Sequence, residues 1–292
     1  MKLAIWDAPM AEAAASGLTQ AGDHQAGDHQ AGDRNAQVRR LRPEACAAAL
    51  LKQQVDVALV PTTMVLQGAE GFDVIPDVAV SSWKYPFARV VLKEGLESRE
   101  LTLACDRRAV QEQFVATVAL REHYQLGAEA VPYDAPDDPL DLLRGDENAA
   151  LLTSTALGAL PDLGRLGGGG LVMDLGQEWF ELAKYPMVWG LFVTREDTLG
   201  ADTTAALRDR LHAAEERRPN WVEQAEHPLL EEFFAEDLRL RFDDLAVASL
   251  TELKHYLFYD DVIGHVPDLS FAPLPEAEEE ERGEEQWVRR ET

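Results

Sequence analysis

Val55-Asp-Val-Ala-Leu-Val60 is a nearly continuous apolar run of strand length. Such a run is typical of a strand that is covered on both faces of a parallel sheet. The segment before it, Pro43 to Gln54, is predicted to form a helix with Pro43 in its first turn. Further strands are predicted at Leu3–Trp6, Val38–Leu41, Phe72–Val80, Phe87–Leu92, Leu101–Ala104, Ala130–Tyr133, Ala149–Leu152, Leu171–Asp174 and Val188–Val193. Further helices are predicted at Met10–Leu18, Ala109–Leu126, Pro139–Arg144, Thr203–Arg218, Leu229–Leu240 and Leu245–Ile263. This alternation predicts an α/β fold with mostly parallel sheets and a helical C-terminal region.

The charge of the chain limits its partners. Its 292 residues include 27 Lys and Arg against 53 Asp and Glu, which gives a formal net charge of -26. Since binding to nucleic acid needs cations that replace the counterions on phosphates, no nucleic-acid partner is expected. At about 1 M salt the Debye length falls to roughly 3 Å, so the acidity indicates a halophilic protein in a salt-rich cytoplasm. A basic partner for the acidic tail at 276–292 is the alternative interpretation.

The sequence also indicates a cytoplasmic location. No apolar run reaches the roughly 20 residues of a membrane span, so no membrane partner is expected. Asp7 follows the initiating methionine too closely for a signal peptide. Cys46 and Cys105 form no CxxC pair and no disulfide framework.

A short repeat interrupts the N-terminal part of the chain. Gln20-Ala-Gly-Asp-His24 recurs from Gln25 and, ending in Arg34, from Gln30. A period of five residues matches neither the 3.6 of a helix nor the 2 of a strand. We therefore predict a flexible insertion in a surface loop at 19–36, with a metal-binding tract of His and Asp as the alternative.

Most chemistry-bearing motifs are missing from the sequence. There is no GxxxxGK phosphate loop, GxSxG elbow, HExxH helix or zinc spacing, and the glycines at 167–170 lack dinucleotide spacing. The default interpretation of His123 is a partly exposed surface residue, and that of His255 is packing. The sequence therefore predicts cofactor-free chemistry or simple ligand binding, with no metal.

Two stretches are more specific than the rest. The first is Val55-Asp-Val-Ala-Leu-Val-Pro-Thr62, followed by Ile75-Pro-Asp-Val-Ala-Val-Ser81-Ser82. The second is Asp174-Leu-Gly-Gln-Glu-Trp-Phe-Glu-Leu-Ala-Lys-Tyr-Pro-Met-Val-Trp-Gly-Leu-Phe-Val-Thr194. Together they resemble the menaquinone-biosynthesis family that holds chorismate dehydratase and 1,4-dihydroxy-6-naphthoate synthase.

The resemblance implies a two-lobed fold similar to periplasmic binding proteins, used as an enzyme. The chain is expected to cross between lobes near Lys93 and to return near Thr194. The larger lobe would hold 1–93 and 195–275, and the smaller lobe 94–194. A small anionic substrate would lie in the cleft between them, held by hydroxyls and backbone N–H groups at strand ends and helix N-termini.

Strand-end hydroxyls are the substrate contacts that the resemblance implies. Thr62 and Thr63 stand at the turn where dehydratases carry a Ser, and the Ser-Ser pair after the next strand is retained as Ser81 and Ser82. In naphthoate synthases a His follows the strand that here ends at Leu151-Leu152, and dehydratases tend to have Gly-Asp there. Thr153 and Ser154 occupy that place and complete the expected contacts.

Charged residues replace two further motifs of the family. Asp7-Ala-Pro-Met10 stands in place of Ser-Tyr-Leu-Asn, and Arg107-Arg108 stands where a Ser/Thr-rich turn opens the long helix. Asp7 is a candidate general base if it is buried, or else a helix N-cap. Arg107 and Arg108 are candidate ligands for the anion at a helix N-terminus, or else surface residues paired with carboxylates such as Glu112.

The resemblance therefore suggests a chorismate dehydratase, a carbon–oxygen lyase that needs no cofactor. It removes water from chorismate to give 3-[(1-carboxyvinyl)oxy]benzoate, on the futalosine route to menaquinone. Two alternatives remain: a non-catalytic cytoplasmic binding protein for a small carboxylate, and the naphthoate synthase itself.

Overall fold

The computed structural model describes residues 1–19, 36–93, 99–106, 109–133, 149–153 and 171–276. The strands are β1 (Lys2–Trp6), β2 (Gln37–Leu41), β3 (Val57–Pro61), β4 (Phe72–Ser82), β5 (Ala88–Leu92), β6 (Glu100–Asp106), β7 (Gly127–Tyr133), β8 (Ala149–Thr153), β9 (Leu171–Asp174), β10 (Met187–Arg195), β11 (Leu238–Arg239) and β12 (Ser270–Phe271). The helices are α1 (Pro9–Thr19), α2 (Pro43–Leu51), α3 (Thr62–Gln67), α4 (Val110–Tyr124), α5 (Leu175–Ala183), α6 (Ala201–His212), α7 (Arg218–Glu223), α8 (Pro228–Glu232) and α9 (Asp244–Tyr259).

Two sheets organise these elements. The first has the order β11-β4-β10-β3-β1-β2, with β12 also paired to β4, and the second has the order β7-β6-β8-β5-β9. Strand β3, which holds the apolar run of the sequence, is buried along its whole length. The predicted α/β class is therefore confirmed, and β3 lies between β1 and β10 as an inner strand of the first sheet.

The sheets are mixed, so the prediction of mostly parallel sheets is wrong. Among the described strands, β1 pairs parallel with β2 and β3, whereas β10 runs antiparallel to both β3 and β4. In the second sheet, β5 runs antiparallel to β8 and β9, while β6 is parallel to β7 and β8. The reason is that the chain leaves one sheet, builds the other, and re-enters the first between two strands that both run against it.

The chain changes sheet earlier than the predicted crossings near Lys93 and Thr194. Strand β5 already belongs to the second sheet, and β10 already belongs to the first. The two changes therefore fall between Ser82 and Ala88 and between Asp174 and Met187. Both intervals contain the same tripeptide, Lys-Tyr-Pro, at 84–86 and at 184–186. Because proline disfavours helical backbone in the residue before it, each tripeptide directs the chain into the extended conformation of the strand that follows.

The C-terminal third is helical, as predicted, and it covers the first sheet. Helix α6 packs against β4 and α9 packs against β10. Helix α9 begins at an N-cap, Asp243, whose side chain accepts a hydrogen bond from the Ala246 N–H. None of the described helices combines the length and the apolar character that crossing a membrane requires.

Three described helices were missed in the sequence analysis, and α7 is one of them. Helix α3 starts directly after the apolar run, at Thr62. Helix α5 is capped by Asp174, whose carboxylate accepts from the Gln177 N–H. Several predictions lie outside the described residues: the helix at Pro139–Arg144, the insertion apart from its two end residues, and the acidic tail beyond Glu276.

Candidate functional site

A cleft with a volume of about 530 Å³ opens between the two sheets. This volume lies within the roughly 300–1,000 Å³ that small-molecule sites occupy. Five strands of the two sheets meet the cleft with their last residue, namely Trp6, Leu41, Pro61, Asp106 and Thr153. Because ligands of open α/β sheets bind at the carboxyl ends of the strands, this cleft is the candidate site.

Aromatic rings form one wall of the cleft. The rings of Tyr85 and Trp189 stack with their centroids 3.9 Å apart and their planes at 22°. Phe87 meets the Tyr85 ring edge-on at 5.6 Å. Trp189 is held in place because its Nε1–H donates to Oγ of Ser82 at 2.8 Å. Such flat, rigid surfaces suit a ligand with a planar or unsaturated ring.

A protonatable carboxyl group lies next to this wall. Glu112, in the first turn of α4, lines the cleft with Asp106, and the Tyr85 hydroxyl donates to Oε1 of Glu112 at 3.4 Å. Burial raises the pKa of Glu112, and the nearby charge of Asp106 raises it further. Burial likewise raises the pKa of Tyr85 well above its ordinary value. Glu112 therefore holds a proton at a higher pH than an ordinary glutamate does.

The end of β2 and the turn into α2 contribute two cations to the described part of the cleft. Arg40 and Arg42 both line it. Arg40 is paired with Glu12 through Nε and through Nη2, the latter at 2.9 Å from Oε2. Arg42 places Nε 3.1 Å from Oε1 of Glu44. Both arginines are therefore positioned by a neighbouring carboxylate while their side chains remain exposed.

Gln111 joins the two sides of the cleft. Its Oε1 accepts from the backbone N–H of Thr63 at 3.1 Å, and its Nε2 donates to the carbonyl of Val188 at 2.9 Å. Gln111 belongs to α4, on the side of the second sheet, whereas both partners belong to elements of the first sheet. This buried amide therefore fixes the two sides relative to each other.

The structure brings two of the predicted site residues to the cleft surface, Asp7 and Thr153. Asp7 is exposed, so the burial that the sequence argument required of a general base is absent. Asp7 is not the N-cap of α1 either, because the carbonyl of Ala8 accepts the first helical hydrogen bonds, from Ala11 and Glu12. Thr153 ends β8 and is half-buried.

Four predicted contacts lie beneath the cleft surface instead of on it: Thr62, Thr63, Ser81 and Ser82. They were expected to face the ligand, but α3 turns inward after Pro61, and Trp189 covers Ser82. The hydroxyls of Thr62, Thr63 and Ser81 are buried without a hydrogen-bond partner among the described residues. Their role as substrate contacts stays a prediction. Arg107, Arg108 and Ser154 lie outside the described residues.

Sequence reasoning missed Tyr85, Gln111, Arg40 and Arg42, and it treated Glu112 only as a partner for arginines. One signal pointed to Tyr85, since it belongs to the repeated Lys-Tyr-Pro tripeptide. Asp174 fixes this tyrosine from below, because Oδ1 accepts from the Tyr85 N–H at 2.7 Å. No local pattern distinguishes Gln111 from its neighbour Gln113, so that contact required the structure.

One group of described residues has the composition of a metal site. The candidate ligand atoms of His123, Glu178 and Glu181 lie within 4.8 Å of one another. None of these residues lines the cleft. Glu178 already accepts hydrogen bonds from the Tyr124 hydroxyl at 3.1 Å and contacts Nδ1 of His123 at 2.8 Å. Its carboxylate is therefore satisfied without an ion.

Comparison with known proteins supports both the family and the fold. A family model described as menaquinone biosynthesis matches residues 1–258, whereas no curated protein matches. Among solved structures, protein AF1704 from Archaeoglobus fulgidus superposes with a TM-score of 0.63 at 13% identity, covering 90% of this chain and 98% of that one. An ABC transporter from Parabacteroides distasonis gives 0.62 at 16% identity, covering 94% and 98%.

A third solved structure is described as a periplasmic binding protein, and it shares the architecture of this chain. The periplasmic aliphatic sulphonate binding protein SsuA from Escherichia coli superposes with a TM-score of 0.57 at 12% identity, covering 92% of this chain and 90% of that one. At these identities the likeness concerns the fold alone. The predicted two-lobed architecture of periplasmic binding proteins is thereby confirmed.

Proposed function

This chain belongs to the menaquinone-biosynthesis family, and on that premise we propose that it is a chorismate dehydratase of the cytoplasm. The reaction removes water from chorismate and leaves 3-[(1-carboxyvinyl)oxy]benzoate. A C–H bond and a C–O bond of the ring break, and the new double bond makes the ring aromatic. Since aromatisation drives the reaction, the protein has to supply orientation and two proton transfers, and the proposal includes no cofactor.

The observation that carries the proposal is the pairing of Glu112 with an aromatic wall. A carboxyl group with a raised pKa can protonate the departing ring hydroxyl, which leaves as water. The stacked rings of Tyr85 and Trp189 offer a surface for the flat ring of the substrate. In this mechanism Glu112 is the general acid, and the hydrogen bond from Tyr85 orients its carboxyl group.

The ring proton needs a base on the same cleft. Asp7 is the base in this proposal on its position alone: its carboxylate lines the cleft next to the end of β1, and its exposure means that burial does not contribute to this role. Thr153, at the end of β8, donates a hydrogen bond to the substrate. Thr62, Thr63, Ser81 and Ser82 lie beneath the cleft surface and would contact the substrate only after a local movement that exposes them. Arg107, Arg108 and Ser154 complete the proposed substrate contacts.

A second candidate is a binding protein for a small carboxylate that does not catalyse a reaction. It is favoured by the burial of four of the expected substrate hydroxyls beneath the cleft surface. In that case the cleft binds its ligand and releases it unchanged. The naphthoate synthase is less favoured, because Thr153 and Ser154 replace its histidine.

Incubation of the purified protein with chorismate in high salt tests the proposal. The expected result is the loss of chorismate and the appearance of the aromatic enol ether, followed by absorbance and mass. Glu112→Gln is expected to lower the turnover number by about 100-fold or more, as loss of a general acid does. The matched control is Glu122→Gln, on the exposed face of the same helix, where the carboxylate pairs with Arg121.

The outcomes separate the candidates. Turnover that depends on Glu112 and not on Glu122 supports the dehydratase. Saturable binding of chorismate without turnover identifies the binding protein. If chorismate neither binds nor reacts, the proposed function is wrong.

A further inference from the structure

Carboxylates line both sides of the described cleft, with Asp7 and Glu44 on the side of the first sheet, whereas the two described cations lie on one side. Asp106 and Glu112 stand on the side of the second sheet, at the end of β6 and the start of α4. Arg40 and Arg42 stand on the side of the first sheet, at the end of β2. A ligand that enters this cleft therefore meets two cations at the wall of the first sheet and, at the opposite wall, Glu112, whose pKa is raised by burial.

The backbone explains why both arginines reach the cleft. Side chains of a strand alternate between its two faces, and Arg42 continues the extended conformation of β2 with φ −69° and ψ 150°. Arg40 and Arg42, two residues apart, therefore project to the same side. Arg39 is exposed and does not line the cleft.

Neighbouring carboxylates position these arginines without saturating them. The side chain of Arg40 is 57% exposed beside Glu12, and that of Arg42 is 68% exposed beside Glu44. A guanidinium has five N–H donors, more than one carboxylate satisfies. Both side chains therefore keep donors for a second anion, and the planar fork suits a ligand carboxylate.

The overall charge makes these cations distinctive. A protein with a net charge of -26 repels small anions at long range. Anionic ligands therefore need a local positive site, and Arg40 and Arg42 supply two cations to the described part of the cleft wall.

We propose that Arg40 and Arg42 form a carboxylate-binding subsite that orients the ligand, with its anionic group at the end of β2 and its hydroxyl-bearing side towards Glu112. This inference rests on the proposed function for the identity of the substrate. The subsite itself recognises one carboxylate group of an aromatic or cyclic ligand, whatever reaction follows.

One anionic and one neutral compound of the same shape test the subsite directly. Benzoate and benzamide have the same shape, and only benzoate is charged at pH 7.5. Binding of each is followed by calorimetry at one fixed KCl concentration, with the quenching of tryptophan fluorescence as a second readout. The wild-type protein is expected to bind benzoate more tightly than benzamide.

The variants are Arg42→Gln, Arg40→Gln and the matched control Arg39→Gln, which changes the net charge equally outside the cleft. Arg42→Gln and Arg40→Gln are each expected to weaken benzoate binding by about tenfold or more, as loss of a charge-assisted contact does, and to leave benzamide binding unchanged. Arg39→Gln is expected to change neither. The melting temperature of each variant shows that it is folded.

Several results would overturn the subsite. These are an equal loss of benzoate affinity in Arg39→Gln and Arg42→Gln, no loss in either cleft variant, or no preference of the wild-type protein for benzoate. Failure of the dehydratase proposal is distinguishable from these. A wild-type protein that leaves chorismate unchanged, but binds benzoate through Arg40 and Arg42, retains the subsite and loses only the reaction.

Discussion

At the scale of single residues, the position of the Trp6 ring at the cleft depends on the absence of a side chain at Gly190. A Cβ atom at this position would lie 2.3 Å from Cη2 of Trp6 and 3.1 Å from Cδ1 of Leu59. The Trp6 ring therefore rests directly on the backbone of β10. This contact places an indole at the end of β1, where the cleft begins.

Gly190→Ala is expected to push the Trp6 ring out of its position and into the cleft. Overpacking of this kind costs about 1–3 kcal/mol of unfolding free energy, and the displaced ring obstructs the ligand. Urea unfolding and benzoate binding should both be measured. The control is Gly200→Ala, where no atom lies within 4 Å of the added Cβ; equal effects at the two glycines would contradict the prediction.

A second effect at the residue scale is the titration of Asp237. This residue lies in the π-helical turn after α8, and burial raises its pKa to about 6. Lys84 opposes the increase, whereas the nearby carboxylates of Glu232, Asp174 and Glu236 add to it. Because the folded pKa exceeds the unfolded one, the protonated carboxyl favours the folded state at low pH, and this advantage is lost as the pH rises through about 6.

Asp237→Asn removes this titration. The melting temperature of the variant relative to the wild-type protein is therefore expected to be higher at pH 8 than at pH 5. Thermal unfolding at both pH values and one salt concentration measures the difference. A difference that does not change with pH would show that Asp237 has an ordinary pKa.

At the scale of elements, α4 is the helix that organises the candidate site. Its first turn carries both Glu112, which lines the cleft, and Gln111, which binds the backbone of α3 and β10. The same helix packs against α5. Because these contacts are made by neighbouring residues, the position of Glu112, the proposed general acid, is tied to the relative placement of the two sheets.

Gln111→Leu is expected to lower the unfolding free energy by about 1–3 kcal/mol, the cost of leaving a buried polar group unpaired. The groups left unpaired are the Thr63 N–H and the Val188 carbonyl. Gln113→Leu, two residues further along α4, is the matched control and is expected to have a smaller effect. Urea unfolding of both variants at fixed KCl measures the two losses of unfolding free energy. Similar losses would show that the two hydrogen bonds of Gln111 contribute nothing to stability.

At the scale of the whole molecule, the net charge of -26 opposes compaction. Surface carboxylates that are farther apart than the Debye length no longer repel one another, and this length falls from about 10 Å at 0.1 M salt to roughly 3 Å at 1 M. Ion pairs such as Lys84–Glu232 weaken over the same range, but the excess of acids over bases means that repulsion dominates.

The melting temperature is therefore expected to rise when KCl is increased from 0.1 M to 1 M. Thermal unfolding over a series of KCl concentrations measures this, and a parallel series in sucrose separates screening of charge from exclusion of the solute from the protein surface. A melting temperature that is constant or falls with KCl would contradict the interpretation of the acidity as adaptation to salt.

The sequence by itself determined the α/β class, the position of β3 and the helical C-terminal region. Its two specific stretches also identified the family. The inferences about the fold class and its elements succeeded because apolar periodicity reports how each segment is buried, which is a local property. The same periodicity is silent about strand direction, and for that reason the sheets were expected to be mostly parallel.

Only the tertiary structure decided how the candidate site is assembled. Tyr85 and Glu112 are 27 positions apart, and Gln111 and Val188 are 77 apart. Such contacts depend on where two sheets meet, and no local spacing encodes that. The change of sheet at Lys84-Tyr-Pro86 turned Tyr85 towards the cleft. The inward turn of α3 buried Thr62 and Thr63. The tendency of a segment to form a helix or a strand depends on its own residues. The surroundings of a side chain depend on the distant segments that pack against it.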